Sequence, residues 1–379
     1  MNWGHELKTA ARRAVNPPKL KGRLAPRSVA FQGGLRRGNL VGQDMFRTGI
    51  SIILLFCFAT TPACAAGVKF VEVPAEAAGP KLTATVWYPC AAANQESKID
   101  GGVAGFGPSN LGVLVGEKDC LIAGDNLPLI VVSHGRTGWS GGHKHTAVAL
   151  VDAGFVVAAV NHPGDSAFDQ SRVDDLSVLV ERPTDIKRLI DFLLGAWPDA
   201  QKIDHERVGL FGFSMGGYTG LVSIGGKPDL RKGLSGCKGS SFRACQQLET
   251  NELPPLPLVH DPRIKAAVIV DPALGFLFQL DNLKEVKVPI QLWSSDPKLG
   301  ADHVSGCCAA GINQRLPSKP DYHLVPNAGH FSFLAPCSSQ DVQAFPRICT
   351  DAAGFDRAAF HEDFHAEVVR FFRQYLSRS

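Results

Sequence analysis

Beyond residue 67 the sequence contains no apolar run of bilayer-spanning length. About 20 consecutive apolar residues are needed for a span, so a protein built of several membrane helices is excluded. There is no internal repeat, which excludes a solenoid or a propeller. None of the ten cysteines forms a CxxC pair, which removes the usual cysteine-ligated zinc site. A basic excess is missing where nucleic acid would need it: residues 1–65 hold ten of the 39 Lys and Arg against two of the 36 Asp and Glu, leaving 29 basic against 34 acidic residues. The remainder is mildly acidic, and nucleic acid is not an expected partner.

What is present is ordinary globular composition, 45% hydrophobic and 20% charged over 379 residues, enough for one large domain with a sizeable core. The stretch Met45 to Gly67 has a short basic start, about a dozen apolar residues and the small triplet Ala63, Cys64, Ala65, the layout of a secretory signal peptide over residues 45–65. Acylation of Cys64 as a lipoprotein is the weaker reading, because Thr61 stands where Leu is usual. Residues 1–44 are basic and lack apolar periodicity, so translation is expected to start at Met45. The expected mature chain is then a single domain over residues 66–379, exported to a periplasm or outside the cell, with no stable membrane span.

Cleavage removes Cys57 and Cys64 and leaves eight cysteines, an even number that argues for disulfides in an exported chain. Short spacing suggests Cys237 with Cys245 and Cys337 with Cys349. Cys90, Cys120, Cys307 and Cys308 stay open.

"VKFVEVP" and "KLTATVWYP" alternate as two half-buried strands, followed by a Gly-rich, irregular stretch from Ala91 to Asn126. "LPLIVVSHG" and "GFVVAAVNHPG" are continuous apolar runs, the mark of strands buried on both faces. Helices are expected over "HKHTAVALVDAG", stopped by Gly154, and over residues 182–196. Further runs at "RVGLFGFS", "RIKAAVIVDP", "VKVPIQLWSS" and "DYHLVPNAGH" continue the alternation. The fold class is α/β, a mostly parallel, doubly wound sheet flanked by helices. Residues 226–263, polar and Pro-rich with two cysteines, are too long for a simple connection and form either a lid or a solvated insertion after the nucleophile helix.

In such sheets ligands bind at the carboxyl ends of the strands. Those ends carry His134 and Gly135, Asn161 and His162, Ser214, Asp271, Ser295 and Asp296, and His330. Ser214 sits in Gly212-Phe-Ser-Met-Gly216, a G-x-S-x-G elbow whose glycines keep the strained turn free of side chains. A serine hydroxyl needs a base to take its proton and an acid to orient that base. His330, on a loop near the chain end, is the candidate base. Asp271 and Asp296 both end strands and both qualify as the acid, Asp271 being preferred. Fixed donors for a developing oxyanion are expected from the main chain of Met215 and of Arg136.

"VVSHGRTG", "GFSMGG", "VDPALG" and "NAGHF" together resemble the α/β-hydrolase superfamily. More narrowly, the chain is similar to the platelet-activating-factor acetylhydrolase and bacterial dienelactone-hydrolase-like esterase group, over roughly residues 68–378. The resemblance implies a serine hydrolase of carboxylic esters with a Ser-His-Asp triad, no cofactor, and a small-molecule or lipid-like ester as substrate, with short acyl groups favoured. In the acetylhydrolases the acid follows the strand that Asp271 ends, and in many other hydrolases it follows the next, which keeps Asp296 open. True dienelactone hydrolases use a cysteine nucleophile where this chain has Ser214, so their substrate does not carry over. An acyltransferase and a non-catalytic binding protein share these motifs.

A rival lies at residues 361–365, "HEDFH", which matches the zinc-peptidase pattern H-E-x-x-H through His361 and His365. Phe360, Phe364, Val368 and Phe371 recur around it at helical spacing, and only 14 residues follow His365. A terminal amphipathic helix packed on the core explains the segment better than a metal site.

Overall fold

The computed structural model describes residues 66–91, 97–103, 110–237, 240–254, 258–302 and 308–378. The expected basic extension, signal peptide and Cys64 anchor lie outside the described residues, as does Cys307.

Among the described residues, ten strands form one sheet: β1 (Ala66–Val73), β2 (Leu82–Pro89), β3 (Ser97–Asp100), β4 (Val113–Lys118), β5 (Leu127–Ser133), β6 (Val156–Asn161), β7 (Ile203–Phe213), β8 (Ile264–Val270), β9 (Ile290–Ser294) and β10 (Asp321–Leu324). Their spatial order is β10-β9-β8-β7-β5-β6-β2-β1-β4-β3. The six strands from β10 to β6 run parallel, while β2 is antiparallel to both β6 and β1.

The continuous apolar runs are explained by burial on both faces. In β5, Leu129 and Val131 pack with Ile186, Leu189 and Tyr218, whereas Ile130 and Val132 pack with Leu150, Phe364 and Phe372. On the first face lie helices α2 (Ser177–Leu194) and α3 (Met215–Ser223); on the second lie α1 (Lys144–Asp152) and the C-terminal helix Arg357–Tyr375. Burial of each Val, Leu or Ile side chain contributes roughly 1.5–3 kcal/mol, so the sheet is covered on two sides and only its strand ends remain for chemistry.

Three expectations need correction. The stretch from Ala91 to Asn126 is not merely irregular, because β3 and β4 pair there as an antiparallel ribbon. Its sequence hides this because β3, "SKID", is a largely exposed edge strand whose one apolar residue, Ile99, is only partly buried. Helix α2 begins at Ser177 rather than residue 182 and carries Pro183 inside it. Proline favours a first helical turn, but here the Asp175 carboxylate accepts the Ser177 N–H at 2.8 Å and starts the helix earlier.

The third concerns residues 226–263, expected as a lid or a solvated insertion, whose described residues are partly buried. They form a 3-10 turn, Leu230–Gly236, and helix α4, Arg243–Glu249, and several of their side chains join the core. Disulfides join Cys237 to Cys245 and Cys337 to Cys349, the two local pairs expected, and Cys90 to Cys120, which ties the end of β2 to the segment after β4. No described helix is long and apolar enough to cross a membrane.

Candidate active site

Strand β7 delivers Ser214 into a turn with φ 56° and ψ −114°, a backbone conformation costly for a residue with a side chain. The flanking glycines make the turn feasible. A Cβ on Gly216 would stand 1.9 Å from the Ser133 carbonyl oxygen, and one on Gly212 would stand 2.2 Å from that of Gly216. The elbow is tied to its neighbours by Ser214 N–H donating to Val270 O and by Ala273 N–H donating to Ser214 O, both 2.9 Å.

Two further strand-end residues meet this serine. His330 Nε2 lies 2.9 Å from Ser214 Oγ, and His330 Nδ1 lies 2.5 Å from Asp271 Oδ2. The imidazole stacks on Phe213, with ring centroids 4.8 Å apart. Asp271 is fully buried, yet its charge is compensated: Ser295 N–H donates to Oδ1 at 3.0 Å and Ser295 Oγ donates to Oδ2 at 2.9 Å. Burying a carboxylate without such donors would be costly.

Asp296, the other candidate acid, is turned away from this chain of bonds. Its Oδ1 accepts the Lys298 N–H at 2.9 Å and its Oδ2 accepts the Asn327 N–H at 3.0 Å. These backbone bonds hold its carboxyl below the usual range and brace the loop that leads to His330.

The backbone N–H groups of Met215 and Arg136 have no acceptor among the described residues. Gly135, next to Arg136, approaches Ser214 closely, since a Cβ there would lie 3.3 Å from Ser214 Cβ. Thr137, with φ 54°, donates its N–H to Asp165 Oδ1 at 2.9 Å.

Beneath these donors lies a network that the sequence reading missed. Arg182 is almost fully buried and bonds Asp165 Oδ2 at 2.6 Å, Thr219 Oγ1 at 3.0 Å and the His134 carbonyl. Thr219 Oγ1 in turn donates to Met215 O at 3.0 Å. One guanidinium thus braces both the Arg136 loop and the start of α3. Its planar fork of donors suits this multi-point role better than a lysine would. Beside it, Ser133 Oγ bonds His162 Nε2 at 3.0 Å and His162 Nδ1 bonds Asp185 Oδ2 at 2.9 Å. Burial pushes His162 down and Asp185 up to about 8, so this pair is kept without net charge. A signal was available: Arg182 precedes Ile186, Leu189 and Leu193 on the stripe that α2 buries, a place where a charge needs partners.

His361 and His365 lie on the other face of the sheet. His361 Nε2 donates to Ser332 O at 2.9 Å, and His365 Nε2 is 3.2 Å from Thr146 Oγ1 on α1. The Glu362 between them is exposed. Among the described residues the ligand atoms that converge as a possible metal set are those of Asp321, His323 and Glu367. There Arg370 already donates to Asp321 at 2.8 Å and to Glu367 at 2.7 Å, supplying the cation itself.

The histidine cluster has a consequence for stability. Burial holds His143 at about 3, His361 at about 4 and His365 at about 3, and the histidines further lower one another. In the unfolded chain imidazoles take up protons below about pH 6.5, so stability is lost as pH falls from 6.5 towards 4. Asp185 works the other way, its raised pKa adding stability as pH falls from 8 towards 4, but three histidines outweigh one carboxyl. The denaturation midpoint should therefore drop over this range, by about 3 kcal/mol or more in unfolding free energy. His143→Phe should flatten the dependence, and a constant midpoint would contradict the account.

Comparison with known proteins bears on the fold. Residues 93–193 match the family model for platelet-activating factor acetylhydrolase, isoform II. No curated protein matches the chain. Among solved structures, a ferulic acid esterase from Streptomyces cinnamoneus is 16% identical with a TM-score of 0.56, the match covering 84% of this chain and 94% of that one. A dienelactone hydrolase from Anabaena variabilis is also 16% identical, with a TM-score of 0.43 over 82% of this chain and 98% of that one. The fold is that of the α/β-hydrolases, as the strand order and the elbow at Ser214 also indicate.

Proposed function

We propose that this α/β-hydrolase is an exported serine hydrolase that cleaves carboxylic esters, preferentially of short acyl groups, through an acyl-enzyme. The observation that carries the reading is the unbroken hydrogen-bond chain from Ser214 Oγ through the His330 imidazole to Asp271, placed at a strained strand-to-helix turn. Ser214 Oγ attacks the ester carbonyl while His330 Nε2 takes its proton, and Asp271 holds the Nδ1–H and stabilises the imidazolium. The N–H groups of Met215 and Arg136 receive the oxyanion, held in place by Arg182 and Asp165. His330 then protonates the departing alcohol, and water repeats the sequence to release the acid. Export is supported by the signal-like stretch over residues 45–65 and by the disulfides Cys90–Cys120, Cys237–Cys245 and Cys337–Cys349.

An acyl-enzyme has a kinetic signature. Mixing the protein with p-nitrophenyl acetate should release about one equivalent of p-nitrophenol in a burst before the steady state, with or without a chelator. Hydrolysis that chelation abolishes would overturn the reading.

A further inference from the structure

Beside the nucleophile turn lies a pocket of about 90 Å³ that reaches both Met215 and Arg136. Its walls are almost wholly apolar and come from three places. Leu176 and Leu179 belong to the segment before and within α2, Leu274 and Phe276 follow β8, and Leu230, Phe242 and Leu248 come from the insertion over residues 226–263. Both sulfurs of the Cys237–Cys245 bridge belong to residues on the same wall.

From this geometry we infer that the pocket is the acyl subsite, that it takes an uncharged aliphatic chain of about four carbons or fewer, and that the insertion is its fixed wall rather than a moving lid. The inference rests on the ester-hydrolase reading and deepens it. The choice of the acyl half follows from proton transfer. The leaving alcohol oxygen must stay within reach of His330 Nε2 to be protonated. No residue of the His330 loop lines the pocket, whereas Arg136 and Met215, whose N–H groups have no acceptor among the described residues, do. The alcohol therefore leaves on the His330 side and the acyl chain enters the pocket.

Size sets the length. A dry apolar cavity of about 150 Å³ accommodates benzene, so this smaller pocket suits a chain of about three or four carbons. The lining sets the chemistry, because it is apolar apart from Arg136, Asp174 and Asp175, and Asp175 is already paired with Arg243, so an uncharged chain fits it best.

The wall is fixed by polar anchors as well as by packing. Asp175 accepts from Arg243 Nε at 2.6 Å and from Gln247 Nε2 at 3.2 Å, Gln247 Oε1 accepts the Leu176 N–H at 2.9 Å, and Ala244 N–H donates to Asp174 O at 2.6 Å. The Arg243 side chain is 60% exposed, so its ion pair adds little. The two bonds to backbone, the buried Leu230 and Leu248, and the disulfide do more to set the wall's position.

The test compares kcat/KM on p-nitrophenyl acetate, butyrate, hexanoate and octanoate for wild type, Leu248→Ala and Leu230→Ala. Wild type should be fastest on acetate or butyrate and at least tenfold slower on octanoate. Each variant should raise the octanoate-to-acetate ratio at least fivefold, a shift in profile that general damage to the fold would not produce. On acetate esters of increasing alcohol length, the variants should show the wild-type preference. If both variants keep the wild-type acyl profile while hydrolysis still depends on Ser214, or if alcohol preference moves instead, the assignment is wrong. If no hydrolysis depends on Ser214, the parent reading fails and takes the subsite with it.

Discussion

Ser214→Ala should lower kcat for p-nitrophenyl butyrate by about 10⁴- to 10⁶-fold, because removing the nucleophile of a triad forfeits nearly all of what the triad contributes as a unit. What survives is the modest acceleration from oxyanion donors and substrate binding. The substitution should leave unfolding within about 1 kcal/mol of wild type. Among the described residues the Ser214 side chain bonds His330 alone, and alanine at the same φ of 56° inherits the same backbone strain. A variant that keeps more than about a hundredth of wild-type turnover would remove Ser214 from the chemistry.

Asp271→Asn should lower kcat by about 10³- to 10⁴-fold with the fold intact, whereas Asp296→Asn should stay within about tenfold. The two aspartates end neighbouring strands and differ only in what they touch. An asparagine at 271 can turn its amide N–H towards His330 Nδ1, which forces the ring proton onto Nε2, where it faces Ser214 and cannot accept. The Ser295 N–H and Oγ that now serve the carboxylate would hold the amide in place, so the loss would be one of tautomer rather than of structure. At 296 the carboxylate serves Lys298 and Asn327 backbone donors, and an amide oxygen retains one of those bonds. The reverse pattern, with Asp296→Asn the damaging change, would overturn the assignment of the acid.

Much of this arrangement was legible in the sequence because parallel strands covered on both faces must be continuously apolar and because their ends must hold the polar groups. The runs ending at Ser214, Asp271 and Ser295 mark β7, β8 and β9 directly, and glycines bracket the one serine that needs a strained turn. What the sequence left open depends on three-dimensional neighbours. Asp271 and Asp296 are equivalent as strand-end residues, and only the path of the His330 loop separates them. Ser295 could be noted as a strand end but not as the donor that holds Asp271. Arg182 read as one residue of an amphipathic helix, because its partners Asp165, Thr219 and His134 come from three other segments. The edge strand β3 was hidden for the opposite reason: it partly buries a single apolar residue, Ile99, so it has no apolar pattern to show.

The most direct test of the central claim is labelling of the folded protein with a fluorophosphonate, followed by identification of the modified peptide by mass spectrometry. One phosphonate adduct per chain is expected, on Ser214, unaffected by a chelator and absent from Ser214→Ala. Labelling at another residue, or no labelling of folded wild-type protein, would contradict it.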